Sequence, residues 1–291
     1  MFGVRIIRAA RYISRIVDNC PKPLYDTGCT YCGIPEFPED KGIDFEKNLN
    51  QTASQPWKHV LVTLHGFGDF AEMPSKINLV PGSLANEFES LKKSKLSPTH
   101  PVLLSNIITN DLRTNSVDAS LHEVIVYPEG KLVRFKKEHL LQFVEHYLLP
   151  DERSSMETYN PFTSDDKEEH VSVKRPDLFE EQDFGKDLVL VCGHTQRDIR
   201  CGTLGPIIEN EFTEVLEREG LALSVDVGLI SHIGGHAYAG NVIYFPADTV
   251  LCPVVWYGRV FPEKVQGIVR ETVIGKKIIK ELYRGDLRQI Q

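Results

Sequence analysis

Residues 192–202 of the chain read Cys-Gly-His-Thr-Gln-Arg-Asp-Ile-Arg-Cys-Gly, and residues 231–236 read Ser-His-Ile-Gly-Gly-His. The first stretch directly follows an apolar run at 187–191, which predicts a buried strand with Cys192 at its exit. We expect the cysteine pair and the histidine pair to lie in loops, where glycines let other backbone approach closely. Because thiolate sulfur and imidazole nitrogen together suit zinc, copper or iron–sulfur chemistry, the two stretches predict a metal or redox site.

The spacing within the two pairs leaves the kind of site open. Eight residues separate Cys192 from Cys201, whereas the cysteines of structural zinc sites usually have about two to four residues between them. The three residues between His232 and His236 would suit zinc. An iron–sulfur cluster is wider than one ion, and Rieske centres hold a [2Fe–2S] cluster with two cysteines and two histidines. Spacing alone therefore allows a cluster, a zinc ion, or a metal-free cysteine pair beside polar loop histidines.

A longer pattern that includes these two stretches resembles the sucrase/ferredoxin-like family. It continues through Gly205-Pro206 and ends in the run Trp-Tyr-Gly-Arg-Val at residues 256–260. The specific similarity covers about residues 185–262, and a looser similarity reaches back to about Cys20. Proteins of this family are thioredoxin-like ferredoxins, in which two cysteines and two histidines at this spacing hold a [2Fe–2S] cluster.

The resemblance implies both a set of ligands and a function. Cys192, Cys201, His232 and His236 stand at the four ligand positions of the family pattern. The chain would then be a mitochondrial electron-transfer protein in redox homeostasis, an electron carrier rather than an enzyme with its own substrate. Its partners would be redox proteins, a reductase and an acceptor, which the sequence does not identify.

Other residues near the two pairs have alternative roles. Arg197 and Arg200 could donate hydrogen bonds to sulfur and tune a redox potential, or they could dock an acidic partner. We expect Asp198 to pair with one of these arginines. His194 could be a neighbour of the cluster or a solvent-facing loop histidine, and we expect the second. Cys252 alternates within an apolar strand, a pattern that predicts a buried thiol without chemistry.

A second group of cysteines supports a different hypothesis. Cys29 and Cys32 have the spacing of a redox dithiol or of half a zinc site, and Cys20 precedes them. Their surroundings are rich in Pro and Gly, which does not indicate a thioredoxin-type active site. A labile or regulatory disulfide, a partial metal site and inert thiols all stay open. The competing functions are therefore a thiol–disulfide oxidoreductase that uses Cys29 and Cys32, and a zinc-stabilised interaction module.

Composition narrows the class of protein. The chain has 291 residues, of which 41% are hydrophobic and 25% charged, so it is long enough for two modest domains with real cores. No apolar run approaches the roughly 20 residues that a membrane span needs. The net charge of −8 argues against a nucleic-acid-binding surface. Six cysteines in this length do not make a secreted disulfide scaffold, and their clustering favours metal or redox work.

The first 17 residues differ from the rest of the chain. They contain four arginines, at positions 5, 8, 11 and 15, and no acidic residue. On a helix these arginines share one face, opposite Phe2, Ile6, Ala9, Ile13 and Val17. This pattern is typical of a mitochondrial targeting segment, and an ordinary surface helix is the alternative. The sequence thus predicts a mitochondrial location, in the matrix and/or the intermembrane space.

The remaining chain predicts an α/β (α+β) fold with two thioredoxin-like halves, the C-terminal one a thioredoxin-like ferredoxin domain. Residues 18–57 are expected to form an irregular cysteine-containing arm, and the acidic residues 150–184 a linker. Residues 58–149 are expected to form an N-terminal domain without cluster ligands, which serves as a scaffold or partner platform. The C-terminal domain covers residues 185–291.

The prediction of two halves rests on a repeated order of strand, helix, strand, hairpin and helix. In the first half we expect these elements at 59–64, 83–93, 102–108, 123–135 and 138–149. In the second half we expect a strand ending at 191, a helix starting at Pro206, a strand at 221–229, hairpin strands at 241–247 and 250–260, and a closing helix at 262–283.

Overall fold

The computed structural model of the chain describes residues 15–64, 70–110, 120–150 and 176–287. Within these ranges ten strands form one mixed sheet, and two short strands form a separate parallel pair. The strands are β1 (Ile16–Val17), β2 (Lys58–Thr63), β3 (Val102–Thr109), β4 (Leu121–Tyr127), β5 (Lys131–Lys136), β6 (Glu180–Asp183), β7 (Asp187–Cys192), β8 (Val225–Ile230), β9 (Val242–Phe245), β10 (Val254–Tyr257), β11 (Ile278–Ile279) and β12 (Tyr283–Leu287). The helices are α1 (Leu84–Lys95), α2 (Leu140–Tyr147), α3 (Ile199–Arg218) and α4 (Pro262–Ile268).

The order of strands in the large sheet repeats in its two halves. Read outward from the centre, one half runs β8-β7-β9-β10-β12 and the other β3-β2-β4-β5-β6. The two inner strands of each half are parallel, and the outer strands are antiparallel to their neighbours. The halves join where β3 pairs antiparallel with β8, from Ile107 opposite Ile230 to Thr109 opposite Gly228. The predicted α/β fold with two thioredoxin-like halves is confirmed.

Strand β2, an inner strand of the N-terminal half, shows how the two faces of the sheet contribute to two different cores. All six of its residues are buried, and successive side chains of a strand point to opposite faces. Val60 and Val62 belong to a core with residues of α1 and α2. Leu61, on the other face, belongs to the larger core that includes β7 and α3. The N-terminal half is therefore packed directly against the half that carries the predicted site.

Two helices differ from their predicted bounds. α3 begins at Ile199, because the side chain of Asp198 caps the helix by accepting a hydrogen bond from the backbone N–H of Arg200. Pro206 thus lies inside the helix, and Cys201 lies on its first turn, not in a loop. The predicted closing helix at 262–283 is also wrong: α4 continues as a π-helix only through Val269–Ile274. The residues after Ile274 are extended rather than helical, because the backbone groups of β11 and β12 form hydrogen bonds with β1 and β10, respectively.

The segments that connect these elements partly follow the prediction. The arm at 18–57 is irregular apart from a short 3₁₀ turn at Glu39–Lys41. Part of the expected linker at 150–184 is a strand, since β6 pairs with β5. Ile16 and Val17 form β1 and not the end of a helix, and residues 1–14 of the predicted targeting helix lie outside the described residues. No described helix is both long and apolar enough to cross a membrane.

Candidate functional site

The two cysteines of the predicted site are brought together by a strand and a helix. Cys192 is the last residue of β7, and Cys201 is the third residue of α3; each is only 1% exposed. α3 packs backbone to backbone against the turn after β7. A Cβ on Gly205 would lie 2.6 Å from the Cα of Gly193, so glycine is needed at this approach. This close packing places the two thiols in hydrogen-bond contact.

The histidines follow the neighbouring strand β8. β7 and β8 are parallel, and Cys192 lies opposite Ile230, so the loops after both strands meet at the same edge of the sheet. His232 is half-buried, whereas His236 is exposed and opens a short 3₁₀ turn. The centroids of the two imidazole rings are 5.5 Å apart. The structure thus assembles the four predicted residues as a buried sulfur pair beside a more accessible histidine pair.

The two thiols are electrostatically unequal. A hydrogen bond from the Cys201 thiol lowers the pKa of Cys192 well below its ordinary value; burial opposes this shift, and a contact with His232 adds to it. The pKa of Cys201 is raised by the same hydrogen bond and by burial. Cys192 is therefore the thiol that ionises first, and a thiolate is the form of cysteine that binds metals.

The histidine pair is suited to metal binding. The Nδ1 atom of His232 is buried and has no hydrogen-bond partner among the described residues. Leaving such an atom without a partner costs about 1–3 kcal/mol, so a buried orphan nitrogen indicates a missing ligand contact. Burial lowers the pKa of His236, although the charge of Asp198 opposes this shift. Burial thus favours the neutral form of His236, the form of imidazole that coordinates metal ions.

His194 is not the solvent-facing histidine that the sequence predicts, because it is only 1% exposed. Its Nδ1 accepts a hydrogen bond of 3.1 Å from the backbone N–H of His232. Its Nε2 therefore carries the proton and donates to the carbonyl oxygens of Met73 and Pro74, each 3.1 Å away. Burial lowers the pKa of His194 and keeps the ring neutral. This side chain joins both ligand loops to the N-terminal half.

The two arginines of the first stretch have different environments. Arg200 is buried and binds Asp198 through two contacts of 2.9 Å, Nε to Oδ1 and Nη2 to Oδ2. It also donates to the carbonyl oxygen of Gly42 in the arm, at 2.9 Å. The expected pairing of Asp198 with an arginine is confirmed. These N–H groups of Arg200 donate to Asp198 and Gly42 and not to the sulfurs. Arg197 is exposed to solvent beside the histidine loop.

Arg284 is a site residue that the sequence analysis missed. Its guanidinium is 1% exposed and lies under the loop between the two histidines, where it donates to the carbonyl oxygen of Gly234. It also donates to the Asn241 side chain and, through Nε and Nη2, to Thr52. Within the described chain it has no carboxylate partner, and burial lowers its pKa, while negative charge at Cys192 opposes that shift. Negative charge at the sulfur site therefore compensates the buried positive charge of Arg284.

The second group of cysteines lies elsewhere. All six cysteines of the chain are free thiols. Burial raises the pKa of Cys20 to about 12, which makes this thiol inert. Cys29 and Cys32 lie together in a loop whose hydroxyl groups, on Thr27 and Thr30, bind the buried carboxylate of Glu211. Glu211 is ten residues beyond Cys201 on α3, a rise of roughly 15 Å, so the two thiol pairs are separate.

Three residues that the sequence predicts to be buried are buried in the structure. Cys252 is buried, as predicted, but it lies in the turn before β10 and not within a strand; burial raises its pKa to about 11. Trp256 and Tyr257 are fully buried in the core.

In the part of the chain that the structure describes, no three His, Cys, Asp or Glu side chains converge as ligands of one metal ion. The four predicted residues are thus arranged as two pairs and not as a single-ion cage.

Comparisons with known proteins identify the family of this chain. Proteins called altered inheritance of mitochondria protein 32 are similar along the whole chain: that of Clavispora lusitaniae is 55% identical over 96% of this chain and 99% of its own length. The Debaryomyces hansenii protein is 50% identical over 96% and 99%, respectively. A solved thioredoxin-like [2Fe–2S] ferredoxin from Aquifex aeolicus is 21% identical, covers 35% of this chain and 94% of its own, and has a TM-score of 0.28. Residues 49–285 match the sucrase/ferredoxin-like family profile, and the chain therefore belongs to that family.

Proposed function

We propose that this chain is a mitochondrial electron-transfer protein that carries a [2Fe–2S] cluster on Cys192, Cys201, His232 and His236. The observation that carries the proposal is the arrangement of these residues as two adjacent pairs at one edge of the sheet. The thiols of one pair are in contact, and the rings of the other are 5.5 Å apart. Family membership and the name of the Aquifex aeolicus ferredoxin are consistent with this proposal.

The donor set fits a two-iron cluster better than a single ion. In a Rieske centre two cysteines bind one iron and two histidines bind the other, so all four ligands need not converge on one point. A pair of thiols beside a pair of imidazoles meets that requirement, and the absence of a single-ion cage in the described residues does not conflict with it. The unpartnered Nδ1 of His232 supplies a buried nitrogen for such a bond.

The surrounding residues perform distinct tasks in this proposal. A bound cluster would accept and release one electron. Burial of both cysteines excludes water from the sulfur side, and the lowered pKa of Cys192 favours the thiolate. The buried cation of Arg284 compensates negative charge there and orients the histidine loop. Electrons would pass on the histidine side, because His232 and His236 are the more accessible ligands.

The mitochondrial location is part of the proposal. The Arg-rich, acid-free segment at 1–17 predicts a targeting sequence for the matrix and/or the intermembrane space. The names of the similar proteins refer to the inheritance of mitochondria. These two independent observations favour mitochondria as the compartment, and a role in redox homeostasis follows from an electron carrier in that compartment.

The structure gives less support to the competing functions. Burial and the neighbouring thiol raise the pKa of Cys29 to about 11, which disfavours the Cys29 thiolate as the nucleophile of an oxidoreductase. A zinc-stabilised module needs about four ligands around one ion, and the described residues do not form such a cage.

Anaerobic purification followed by metal and sulfide analysis tests the proposal. We expect about two irons and two acid-labile sulfides per chain, with the absorption and EPR spectra of a [2Fe–2S] centre. Cys192→Ala and Cys201→Ala should each lose the cluster. Cys252→Ala is the matched control, because it removes another buried thiol from the same half. Full iron retention in both site variants, or a colourless zinc protein, would contradict the proposal.

A further inference from the structure

A cleft between the two halves opens beside the candidate ligand His232. It has a volume of about 440 Å³, and both halves contribute described residues to its walls. The N-terminal half contributes the 3₁₀ turn Ile77–Leu79, α1 and β3, and the C-terminal half contributes the loops after β7 and β8. The half without predicted ligands therefore builds most of a surface that leads directly to the site.

The rim of this cleft is positively charged. Lys76, Lys92 and Arg197 line it, and Glu89 is the one acidic residue among its described lining residues. None of the three cations forms an ion pair with a described residue, so their charges are free to meet a partner. The whole chain has a net charge of −8, which makes a locally basic surface at the predicted redox site unusual for this molecule.

The interior of the cleft is apolar. Phe88 is buried at its base, and Leu104, which packs on the same face of the sheet as Phe88, is half-buried in its wall. Leu79 stands at the edge with 60% of its surface exposed. An apolar interior inside a charged rim is the composition of a protein docking site, in which the charges steer the encounter and the apolar surface holds the complex.

We propose that this cleft docks an acidic segment of a redox partner protein, one that places an apolar side chain between carboxylates. The proposal rests on the electron-transfer function proposed above and adds the chemistry of the partner. Three unpaired cations complement the carboxylates, and Leu79 and Leu104 contact the apolar side chain. A partner seated there would contact His232, one of the residues that would hold the cluster. The N-terminal half then acts as the partner platform.

Zero-length carbodiimide cross-linking to an acidic plant-type ferredoxin tests the docking directly. The reagent joins lysine amines to carboxylates that are in contact, and mass spectrometry locates the joined lysines. We expect cross-links to be enriched at Lys76 and Lys92, and to be lost at high salt because screening removes the steering. Cross-links spread evenly over exposed lysines would overturn the proposal. This readout does not require a cluster, so it separates failure of the docking site from failure of the proposed function.

Stopped-flow kinetics with the same reduced ferredoxin provide the second measurement. The double variant Lys76→Glu/Lys92→Glu should slow electron transfer to the holo protein by at least about tenfold at low ionic strength. The control Lys93→Glu/Lys136→Glu makes the same change in net charge at two exposed lysines outside the cleft. It should have a much smaller effect. Equal slowing by both double variants would show that only net charge matters and would overturn the docking site.

Discussion

The guanidinium of Arg284 donates a hydrogen bond of 2.7 Å to the side-chain oxygen of Asn241. The amide nitrogen of Asn241 in turn donates to the carbonyl oxygen of Gly235, at 2.9 Å. Gly235 has a φ of 75°, and a Cβ there would lie 2.3 Å from the guanidinium. This pair of side chains therefore determines the path of the backbone between His232 and His236, and it requires glycine at the point of contact.

Replacing Arg284 should destabilise the protein and change the site. We expect Arg284→Met to lower the free energy of unfolding by about 2–4 kcal/mol, because Asn241 and Thr52 lose a charged, buried partner. The midpoint potential should also fall, since a nearby positive charge is removed. Arg284→Lys should restore part of the potential but little of the stability. Urea denaturation and protein-film voltammetry measure these effects.

The control for this prediction is Arg218→Met. Arg218 is exposed at the end of α3 and contacts the ring of Tyr25. Its replacement should change the stability by less than about 1 kcal/mol and leave the potential unaltered. A native potential in Arg284→Met would show that the cation has a structural role only.

The ion pair of Asp198 and Arg200 should make stability depend on pH. Burial alone would raise the pKa of Asp198, but hydrogen bonds and charge from Arg200 bring it below its ordinary value. The stabilisation is therefore present above the unfolded pKa of about 3.9 and is lost as pH falls through the lower folded value. Asp198→Asn keeps a capping side chain and should destabilise by about 2 kcal/mol at pH 7.

This difference between native protein and Asp198→Asn should shrink below about pH 4, as measured by urea denaturation across pH. Asp183→Asn serves as the control, because the side chain of Asp183 is 80% exposed in its ion pair with Lys131. Surface pairs of this kind contribute about 0–1 kcal/mol. A difference at pH 7 that persists unchanged to pH 3 would contradict the assignment to ionised Asp198.

The histidine pair should make the reduction potential depend on pH. Two neutral imidazoles leave an oxidised centre less negative than four thiolates would, so we expect a potential above the roughly −400 mV of plant-type ferredoxins. Reduction adds negative charge, which raises the pKa of a nearby imidazole and draws a proton to it. The potential should then fall as pH rises, by about 59 mV per unit where one proton accompanies the electron.

Voltammetry of the native protein from about pH 5 to 10 checks this expectation. Changing both His232 and His236 to Cys should lower the potential and flatten its pH dependence, provided that a cluster assembles in the variant. The pH dependence of the potential of the native protein is sufficient to test the expectation without the variant. A pH-independent potential would mean that the imidazoles are not ligands, or that their free nitrogens do not exchange protons.

The N-terminal arginines should direct the chain to mitochondria. We expect residues 1–17 to carry a fluorescent passenger protein into the organelle, and simultaneous replacement of Arg5, Arg8, Arg11 and Arg15 by Glu to abolish this import. The corresponding four changes to Lys keep the positive charge and should preserve import. Microscopy and protease protection of isolated organelles measure the outcome. Unchanged import of the Glu variant would place the targeting signal elsewhere in the chain.

The sequence by itself determined the features that depend on neighbouring residues. An apolar run ending at Cys192 identified β7, and the repeated order of strands and helices identified the two halves. The cysteine pair and the histidine pair indicated a metal or redox site, and the resemblance to the sucrase/ferredoxin-like family implied the four candidate ligands. The pairing of Asp198 with a nearby arginine was also predictable. These features follow from local hydrophobic patterns and short spacings, which can be recognised within a short stretch of sequence.

Only the tertiary structure decided the features that join distant residues. β3 and β8 merge the halves into one sheet, and the C-terminal residues become strands because β1 and β10 provide partners for their backbone. His194 is buried because Met73 and Pro74 cover it from the other half. Arg284 lies 48 positions after His236 in the sequence and yet supports its loop. No local pattern encodes such contacts, because burial and hydrogen bonding between distant segments arise only once the sheet has formed.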